Sequence, residues 1–359
     1  MEHPAASSRV LFHYWKNPAI DEIGATADEF LKLLSGPTHI HLTGQDESRC
    51  RVVVTLQHGN EPSGFWAIHK VLQDNTVPIV DIHFFIPSVK AARAGPGFFY
   101  RMLPNEKDQN RCFKIPFGDS EQDHIAREIM DKLAILQPES VIDVHNTSGI
   151  SPSFGITTTM DEGHVALVSL FTHRLVVTHL ELGSLMDFAE ARMPTVTIEC
   201  GGGQDGESNL MAAEGLIKYL SYDDVLSVEH TDLTLEFFHN PLRLELRKGK
   251  DIAYAEQPVA GYELTLLPAI EHFNFGYITP DTLLGFVAGK LEDVLTAKDT
   301  KGNEKLTRYF KLIDGELRPR RKQELFMVTT NPEIALKDCL FYLVESDNVD
   351  LLRDTDSQP

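Results

Sequence analysis

Between residues 38 and 220, short apolar runs alternate with segments of helical periodicity, and this alternation restricts the fold more than any other feature of the sequence. The apolar runs are rich in β-branched residues and are predicted to be strands, at 51–57, 77–87, 140–145 and 193–199. Segments with apolar residues every three or four positions are predicted to be helices, at 62–73, 119–138, 161–177 and 207–221. Such alternation is typical of an α/β domain with a mostly parallel central sheet flanked by helices.

The pattern changes after about residue 230, where alternating residues and turn signals replace the longer helical patterns. A helical pattern returns only at 331–343. We therefore predict a larger α/β domain over residues 1–229 and a smaller β-rich domain over residues 230–359.

The charge of the chain restricts its partners. There are 33 Lys and Arg residues against 53 Asp and Glu, a formal net charge of −20. This surplus argues against nucleic acid or an anionic membrane as a partner. Four widely spaced cysteines without a CxxC pair, no secretory signal pattern and no long apolar stretch predict a cytoplasmic protein. Homo-oligomerisation stays open.

Polar side chains follow the predicted strands at the points where the strands end. His58 follows 51–57, His145 ends 140–145, and Glu199 ends 193–199. In an open α/β sheet, ligands bind at the carboxyl ends of the strands, so we expect these side chains near one site.

The segment His58-Gly59-Asn60-Glu61 has the spacing of two metal ligands in a tight turn. With a third ligand from another strand, such as His145, it would form the three-ligand arrangement of catalytic zinc. Asp143 precedes His145 by two residues and is expected to orient it. The histidines at 39, 41, 69 and 83 lie in or near apolar segments and are interpreted as structural, and no further clustered ligands indicate a second metal.

Two further groups are suited to chemistry. Glu199 enters a three-glycine turn, where burial would raise its pKa and suit it to accept a proton. The loop 108–111, with Arg101 upstream, carries arginines able to hold a carboxylate or to stabilise an oxyanion.

Four motifs in this order resemble the succinylglutamate desuccinylase and aspartoacylase family, a branch of the zinc carboxypeptidase superfamily. They are HGNEPSG (58–64), DQNR (108–111), DVHNTSG (143–149) and IECGG (198–202). The resemblance covers about the first 220 residues and implies a zinc carboxypeptidase-like fold, with the catalytic domain at 1–229.

The resemblance also implies roles for individual residues. His58, Glu61 and His145 would bind one zinc ion per chain, and Glu199 would be the general base. Asn110 and Arg111 would bind a carboxylate of the substrate. Arg101, with Arg93 as the alternative, would polarise the scissile carbonyl, and a tyrosine of the C-terminal region would join the site, from the set Tyr254, Tyr262 and Tyr277.

Two departures from the family pattern concern specificity. Ile86-Pro87-Ser88-Val89 stands where a typical member has Asn-Pro-x-Ala, and Leu56 stands where a glycine is frequent. The implied activity is hydrolysis of the amide bond of an N-acyl amino acid. A metallocarboxypeptidase acting on short peptides with a free carboxylate is the alternative, and a non-catalytic metal-binding protein is a third hypothesis.

Overall fold

The computed structural model describes residues 11–190, 192–230, 235–299, 302–337, 339–345 and 349–351. Up to residue 230, its strands are β1 His13–Lys16, β2 Thr38–Leu42, β3 Asp46–Thr55, β4 Val80–Ile86, β5 Val141–Thr147, β6 Phe154–Thr157, β7 Arg174–Val177 and β8 Thr195–Gly202. The helices of this region are α1 Ala27–Leu33, α2 Ser63–Gln73, α3 Val89–Arg93, α4 Glu121–Leu136, α5 Glu162–Ser169, α6 Leu185–Ala189 and α7 Gly206–Ser221. The predicted alternation of strands and helices is confirmed in this region.

Among the described residues from 236 onwards, most of the secondary-structure elements are short strands. These are β9 Glu236–His239, β10 Leu242–Leu246, β11 Ile252–Tyr254, β12 Leu264–Leu266, β13 Gly276–Ile278, β14 Gly285–Val287, β15 Leu295–Lys298, β16 Phe310–Ile313, β17 Glu316–Pro319, β18 Gln323–Phe326, β19 Phe341–Glu345 and β20 Val349–Leu351. The intervening helices are single turns or little more, α8 Leu291–Val294, α9 Leu306–Tyr309 and α10 Pro332–Lys337. Among the described residues, no helix combines the length and the apolar character that crossing a bilayer requires.

The chain divides into two compact units. The first comprises residues up to His145 together with Glu181–Thr197 and Asn209–Val225, and the second comprises Asn146–Leu180, Ile198–Ser208 and the residues from Leu226 on. The division at residues 229 and 230 stays a prediction, since the second unit also includes two segments that precede it.

In the first unit, strands lie side by side in the order β1, β2, β4, β3 and β5. β1 pairs in parallel with β2, and β3 pairs in parallel with both β4 and β5. β2 and β4 are antiparallel, so the sheet is mixed rather than parallel throughout. Helix α4 covers one part of this sheet, where Ile125, Ile129 and Leu133 share a buried apolar cluster with Val52 and Val141.

In the second unit, β6, β7 and β9 pair in parallel, and β9 pairs antiparallel with β20. Two five-stranded sheets lie within its described residues, in the orders β13-β18-β19-β10-β15 and β11-β12-β14-β17-β16. Their apolar faces contribute to one buried cluster that includes Leu244, Leu264, Leu317 and Phe341. The β-rich character predicted after residue 230 is therefore present.

Two of the predicted helices are wrong over part of their length. The pattern at 161–177 becomes α5, which ends at Ser169, followed by strand β7. The pattern at 331–343 becomes α10, which ends at Lys337, followed by strand β19. Both strands lie between two pairing partners and are mostly buried, so tertiary pairing overrides the helical spacing.

The chain leaves β3 through Leu56, whose φ of 56° lies in the left-handed region. That region costs a residue with a Cβ about 1–2 kcal/mol. Leu56 is nevertheless fully buried, and its carbonyl oxygen accepts a hydrogen bond from the Ser88 amide at 3.0 Å. Position 56, where a glycine is frequent in the family that this chain resembles, thus has a positive φ in this structure.

We expect Leu56→Gly to be less destabilising than Leu56→Ala. Both changes remove the buried side chain, at a cost of about 2–5 kcal/mol in the free energy of unfolding. Glycine also relieves the unfavourable φ, so the glycine variant should be more stable than the alanine variant by about 1 kcal/mol. Chemical denaturation of the three proteins measures this, and an alanine variant as stable as the glycine variant would contradict it.

Candidate metal centre

The pairing of β3 with β5 brings the ends of two predicted strands together. Thr55 lies opposite Val144 in a parallel register, so the turn that follows β3 begins beside the end of β5. His58 and Glu61 lie in this turn, and His145 lies in β5. The structure therefore brings together the three side chains that the sequence predicted as ligands.

Gly59 allows the turn to lie close to a neighbouring loop. A Cβ at this position would lie 2.6 Å from both the amide nitrogen of Ala92 and the carbonyl oxygen of Tyr100, distances that real Cβ atoms do not adopt. The Gly59 amide also donates a hydrogen bond to the carbonyl oxygen of Arg101 at 2.9 Å. The glycine between the two ligands is thus required by backbone packing.

The ligand atoms of His58, Glu61 and His145 converge on one point. One atom of each residue lies within 4.8 Å of the others, and the three residues are 3%, 5% and 3% exposed. His58 Nδ1 lies 2.8 Å from Glu61 Oε1, and His145 Nδ1 lies 2.7 Å from Glu61 Oε2. Two imidazole nitrogens and a carboxylate are a donor set that suits zinc, so the residues fit the metal implied by the resemblance.

Each histidine is held through its other nitrogen by a second carboxylate. His58 Nε2 lies 2.9 Å from Asp108 Oδ1, and His145 Nε2 lies 3.0 Å from Asp143 Oδ2. Carboxylates in this position are the usual outer partners of metal-binding histidines, because they fix the tautomer and the orientation of the ring. The contact predicted between Asp143 and His145 is present, whereas the role of Asp108 was not predicted.

Arg101 links the candidate metal centre to its surroundings. Its Nη1 donates to Glu61 Oε1 and its Nη2 donates to Asp108 Oδ2, both at 3.1 Å. The guanidinium is partly exposed, with 23% of the side chain accessible. Arg101 rather than its rival Arg93 thus contacts these residues, since the guanidinium of Arg93 donates to the carbonyl oxygen of Leu34.

The electrostatics of the group favour charged carboxylates and a basic histidine. Burial raises the pKa of Glu61, but His58 and His145 outweigh it and hold that pKa well below its usual value. Burial likewise opposes ionisation of Asp108, yet His58 and Arg101 lower its pKa strongly. Burial lowers the pKa of His145, but Asp143 and Glu61 outweigh it and raise the pKa well above its ordinary value.

Asn110 belongs to a buried hydrogen-bond network that includes Gln57 and the ring of His145. Its Oδ1 accepts from Gln57 Nε2 at 3.2 Å and from the Leu185 amide at 3.0 Å, and its Nδ2 lies 3.3 Å from His145 Nε2. Gln57 Nε2 also donates to both oxygens of Asp143, at 3.0 and 2.9 Å. Asn110 is therefore bound internally, and its contact with substrate stays a prediction.

Arg111 lies beside Asp108 at the wall of a cavity of about 450 Å³. The cavity is lined by Lys107, Asp108, Arg111, Cys112, Lys114, Pro116, Gly118 and Asp123. Arg111 is partly exposed, and its Nη1 donates to the carbonyl oxygen of Asn110 at 2.9 Å. The lining combines the cations of Lys107, Arg111 and Lys114 with the carboxylates of Asp108 and Asp123, and Lys107 is paired with Asp123. That Arg111 binds a carboxylate of the substrate stays a prediction.

The remaining predicted residues lie in the second unit. Glu199 lies in β8 and is 7% exposed, and two residues further along the same strand Gly201 has a φ of 101°, which favours glycine. Tyr254 donates its hydroxyl to the carbonyl oxygen of Thr329 at 2.8 Å, while Tyr262 and Tyr277 are 42% and 49% exposed. The base role of Glu199 and the choice of tyrosine stay predictions.

Comparisons with known proteins give no match by sequence and clear matches by structure. No protein-family model matches the chain, and no curated protein matches it. A succinylglutamate desuccinylase from Vibrio parahaemolyticus is similar in structure, with a TM-score of 0.58 and 11% identity over 92% of this chain and 100% of that one. Murine aminoacylase 3 is similar with a TM-score of 0.54 and 15% identity, over 86% of this chain and 98% of that one.

A third solved structure, of succinylglutamate desuccinylase/aspartoacylase from Rhodobacter sphaeroides, has a TM-score of 0.53 and 14% identity, over 88% of each chain. At these identities the likeness concerns the fold. The chain has the fold of the succinylglutamate desuccinylases and aspartoacylases, and the resemblance predicted from its four motifs is confirmed at that level.

Proposed function

We propose that the protein is a zinc-dependent hydrolase that cleaves the amide bond of an N-acyl amino acid. The observation that carries this proposal is the arrangement of His58, Glu61 and His145, in which both histidines direct Nδ1 towards Glu61 and keep Nε2 against a carboxylate. The similar folds of a succinylglutamate desuccinylase and of murine aminoacylase 3 support the same reaction class.

The charge of the group supports a divalent cation. Glu61, Asp108 and Asp143 bring three carboxylates to two histidines, while Arg101 supplies one positive charge in contact with two of them. Asp143 and Glu61 raise the pKa of His145 against burial, so that a proton on this ring balances part of the negative charge, and a bound divalent cation would take the place of that proton. When bound by His58, Glu61 and His145, zinc supplies Lewis acidity and activates water near neutral pH.

The protein groups have separate roles in the proposed reaction. Glu199 accepts a proton from the attacking water and passes it to the leaving amine. Arg101 places a positive charge next to Glu61, where it stabilises the negative charge that develops on the carbonyl oxygen. Asp108 and Asp143 keep the two imidazoles in orientation throughout.

The cavity beside Arg111 supports a substrate with a free carboxylate. Lys107 and Lys114 line it together with Arg111, and a volume of about 450 Å³ accommodates a small acylated amino acid. A metallocarboxypeptidase would use the same anchor, and the substrate assay below distinguishes the two. The cytoplasmic location and the choice between monomer and homo-oligomer remain predictions.

Replacing Asp143 by asparagine should weaken zinc binding about 10–100-fold, because His145 loses the carboxylate that orients it and increases its basicity. The substitution keeps the size of the side chain. A chelator competition titration measures the affinity, with Asp131→Asn on the exposed face of α4 as the matched control. Unchanged affinity in Asp143→Asn would argue against an outer-partner role for this residue.

Glu199→Gln should retain zinc and lose turnover by about 10²-fold or more, because a general base typically contributes that much. His58→Ala should lose both zinc and turnover, since it removes a ligand. Elemental analysis and amine release on the same preparations separate the two effects. Turnover at the wild-type rate in Glu199→Gln would exclude Glu199 as the base.

The substrate class is tested by amine release from a panel of amides, with Glu199→Gln as the blank. The panel contains N-acetyl-aspartate and N-succinyl-glutamate beside blocked dipeptides with free carboxyl termini. Turnover of the acyl amino acids alone supports the proposed deacylase. Turnover of the dipeptides alone would replace it with a carboxypeptidase.

A further inference from the structure

A second group of metal-binding side chains lies on strands β2 and β4. These strands pair antiparallel with His41 opposite His83 and His39 opposite Phe85. Because alternate residues of a strand share a face, His39 and His41 of β2 lie on the same face as Asp81 and His83 of β4. All four side chains are buried, at 8% exposure or less.

Three of these residues bring their ligand atoms close together. One atom each of His41, Asp81 and His83 lies within 4.8 Å of the other two. His41 Nε2 lies 2.8 Å from Asp81 Oδ2, and the rings of His41 and His83 stack with centroids 4.3 Å apart. Two ligands of a tetrahedral zinc lie about 3.3 Å apart, so small side-chain movements would complete the geometry.

Each of the three ligands is also held by its other polar atom. His41 Nδ1 lies 2.8 Å from the hydroxyl of Tyr14, and His83 Nδ1 lies 2.9 Å from His39 Nε2. Asp81 Oδ1 accepts a hydrogen bond from the Gly44 amide at 2.8 Å. This leaves His41 Nε2, His83 Nε2 and Asp81 Oδ2 for a metal, with the outer hydrogen bonds that metal-bound histidines and carboxylates usually make.

We propose that His41, Asp81 and His83 bind a second divalent transition-metal ion of the zinc class, at a site separate from the candidate metal centre. Imidazole and carboxylate ligands favour zinc, copper, nickel or cobalt over magnesium and calcium. The site lies on one face of the sheet, where a bound ion would link β2 and β4 and stabilise their pairing. It is independent of the proposed hydrolase function.

The charges near this second group are expected to limit its affinity for a metal ion. Burial, together with neighbouring histidines and lysines, lowers the pKa of His39 to about 3 and that of His83 to about 4. Lys16 and Lys132 add positive charge near His83, and Asp81 opposes it, so we expect weaker binding here than at the candidate metal centre.

The test is a count of metal ions bound by the full-length protein. After treatment with a chelator and re-equilibration with Zn²⁺, the wild type should hold about two ions per chain, and His83→Gln about one. His58→Ala should also hold about one, because it removes only the candidate metal centre. His124→Gln, an exposed position on α4, is the matched control and should match the wild type.

A second measurement leaves the cluster unmutated, in case His83→Gln does not fold. Co²⁺ added to His58→Ala should give the visible absorption of a low-symmetry site with nitrogen and oxygen ligands. Zn²⁺ should then displace it. Co²⁺ absorption and one retained ion in His58→Ala would support the second site even if no hydrolysis is ever found.

Two results would overturn the proposal. One is a wild type that holds a single ion which His58→Ala removes. The other is a folded His83→Gln that holds as many ions as the wild type. Either result would make His39, His41, Asp81 and His83 a hydrogen-bonded network without a metal.

Discussion

The parallel pairing of β3 with β5 is the constraint on which the candidate metal centre depends. It sets the end of β5, which carries His145, beside the turn that carries His58 and Glu61. A shift of two residues in this register would move the histidine by about 6–7 Å along the strand, well beyond the length of a metal–ligand bond. The buried apolar cluster between the sheet and α4 fixes that register, so the packing of the core determines the geometry of the ligands.

The electrostatics of the candidate metal centre depend on charged side chains that are buried. Glu61 remains ionised inside the protein because His58 and His145 lower its pKa more than burial raises it. Asp143 in turn raises the pKa of His145, and Arg101 contacts both Glu61 and Asp108. The buried carboxylates of Glu61 and Asp108 are thus each stabilised by histidine and arginine neighbours. Such pairing is the condition for keeping ionisable groups buried.

The sequence predicts features that lie within one segment, and it misses contacts between distant segments that depend on strand pairing. The spacing of His58 and Glu61 and the strand exits at His145 and Glu199 are visible in one segment each. Asp108 lies 50 positions from His58, and no local pattern connects them. The sequence interprets the histidines of β2 and β4 as structural, because they lie in or near apolar segments. That β4 rather than β3 pairs with β2 is a tertiary feature, although the repeated H-x-H and D-x-H patterns at 39–41 and 81–83 were a signal.

Arg101 has a consequence for how this chain tolerates change in length. Its carbonyl oxygen accepts the Gly59 amide, and its guanidinium holds Glu61 and Asp108. Arg101 therefore holds the connection between α3 and α4 against the turn after β3, through a hydrogen bond of its backbone and hydrogen bonds of its side chain. Insertions or deletions in this connection on either side of Arg101 would have to leave these contacts in place, whereas loops elsewhere on the surface usually vary in length freely. Length variation among relatives of this chain should accordingly be concentrated away from the residues that immediately flank Arg101.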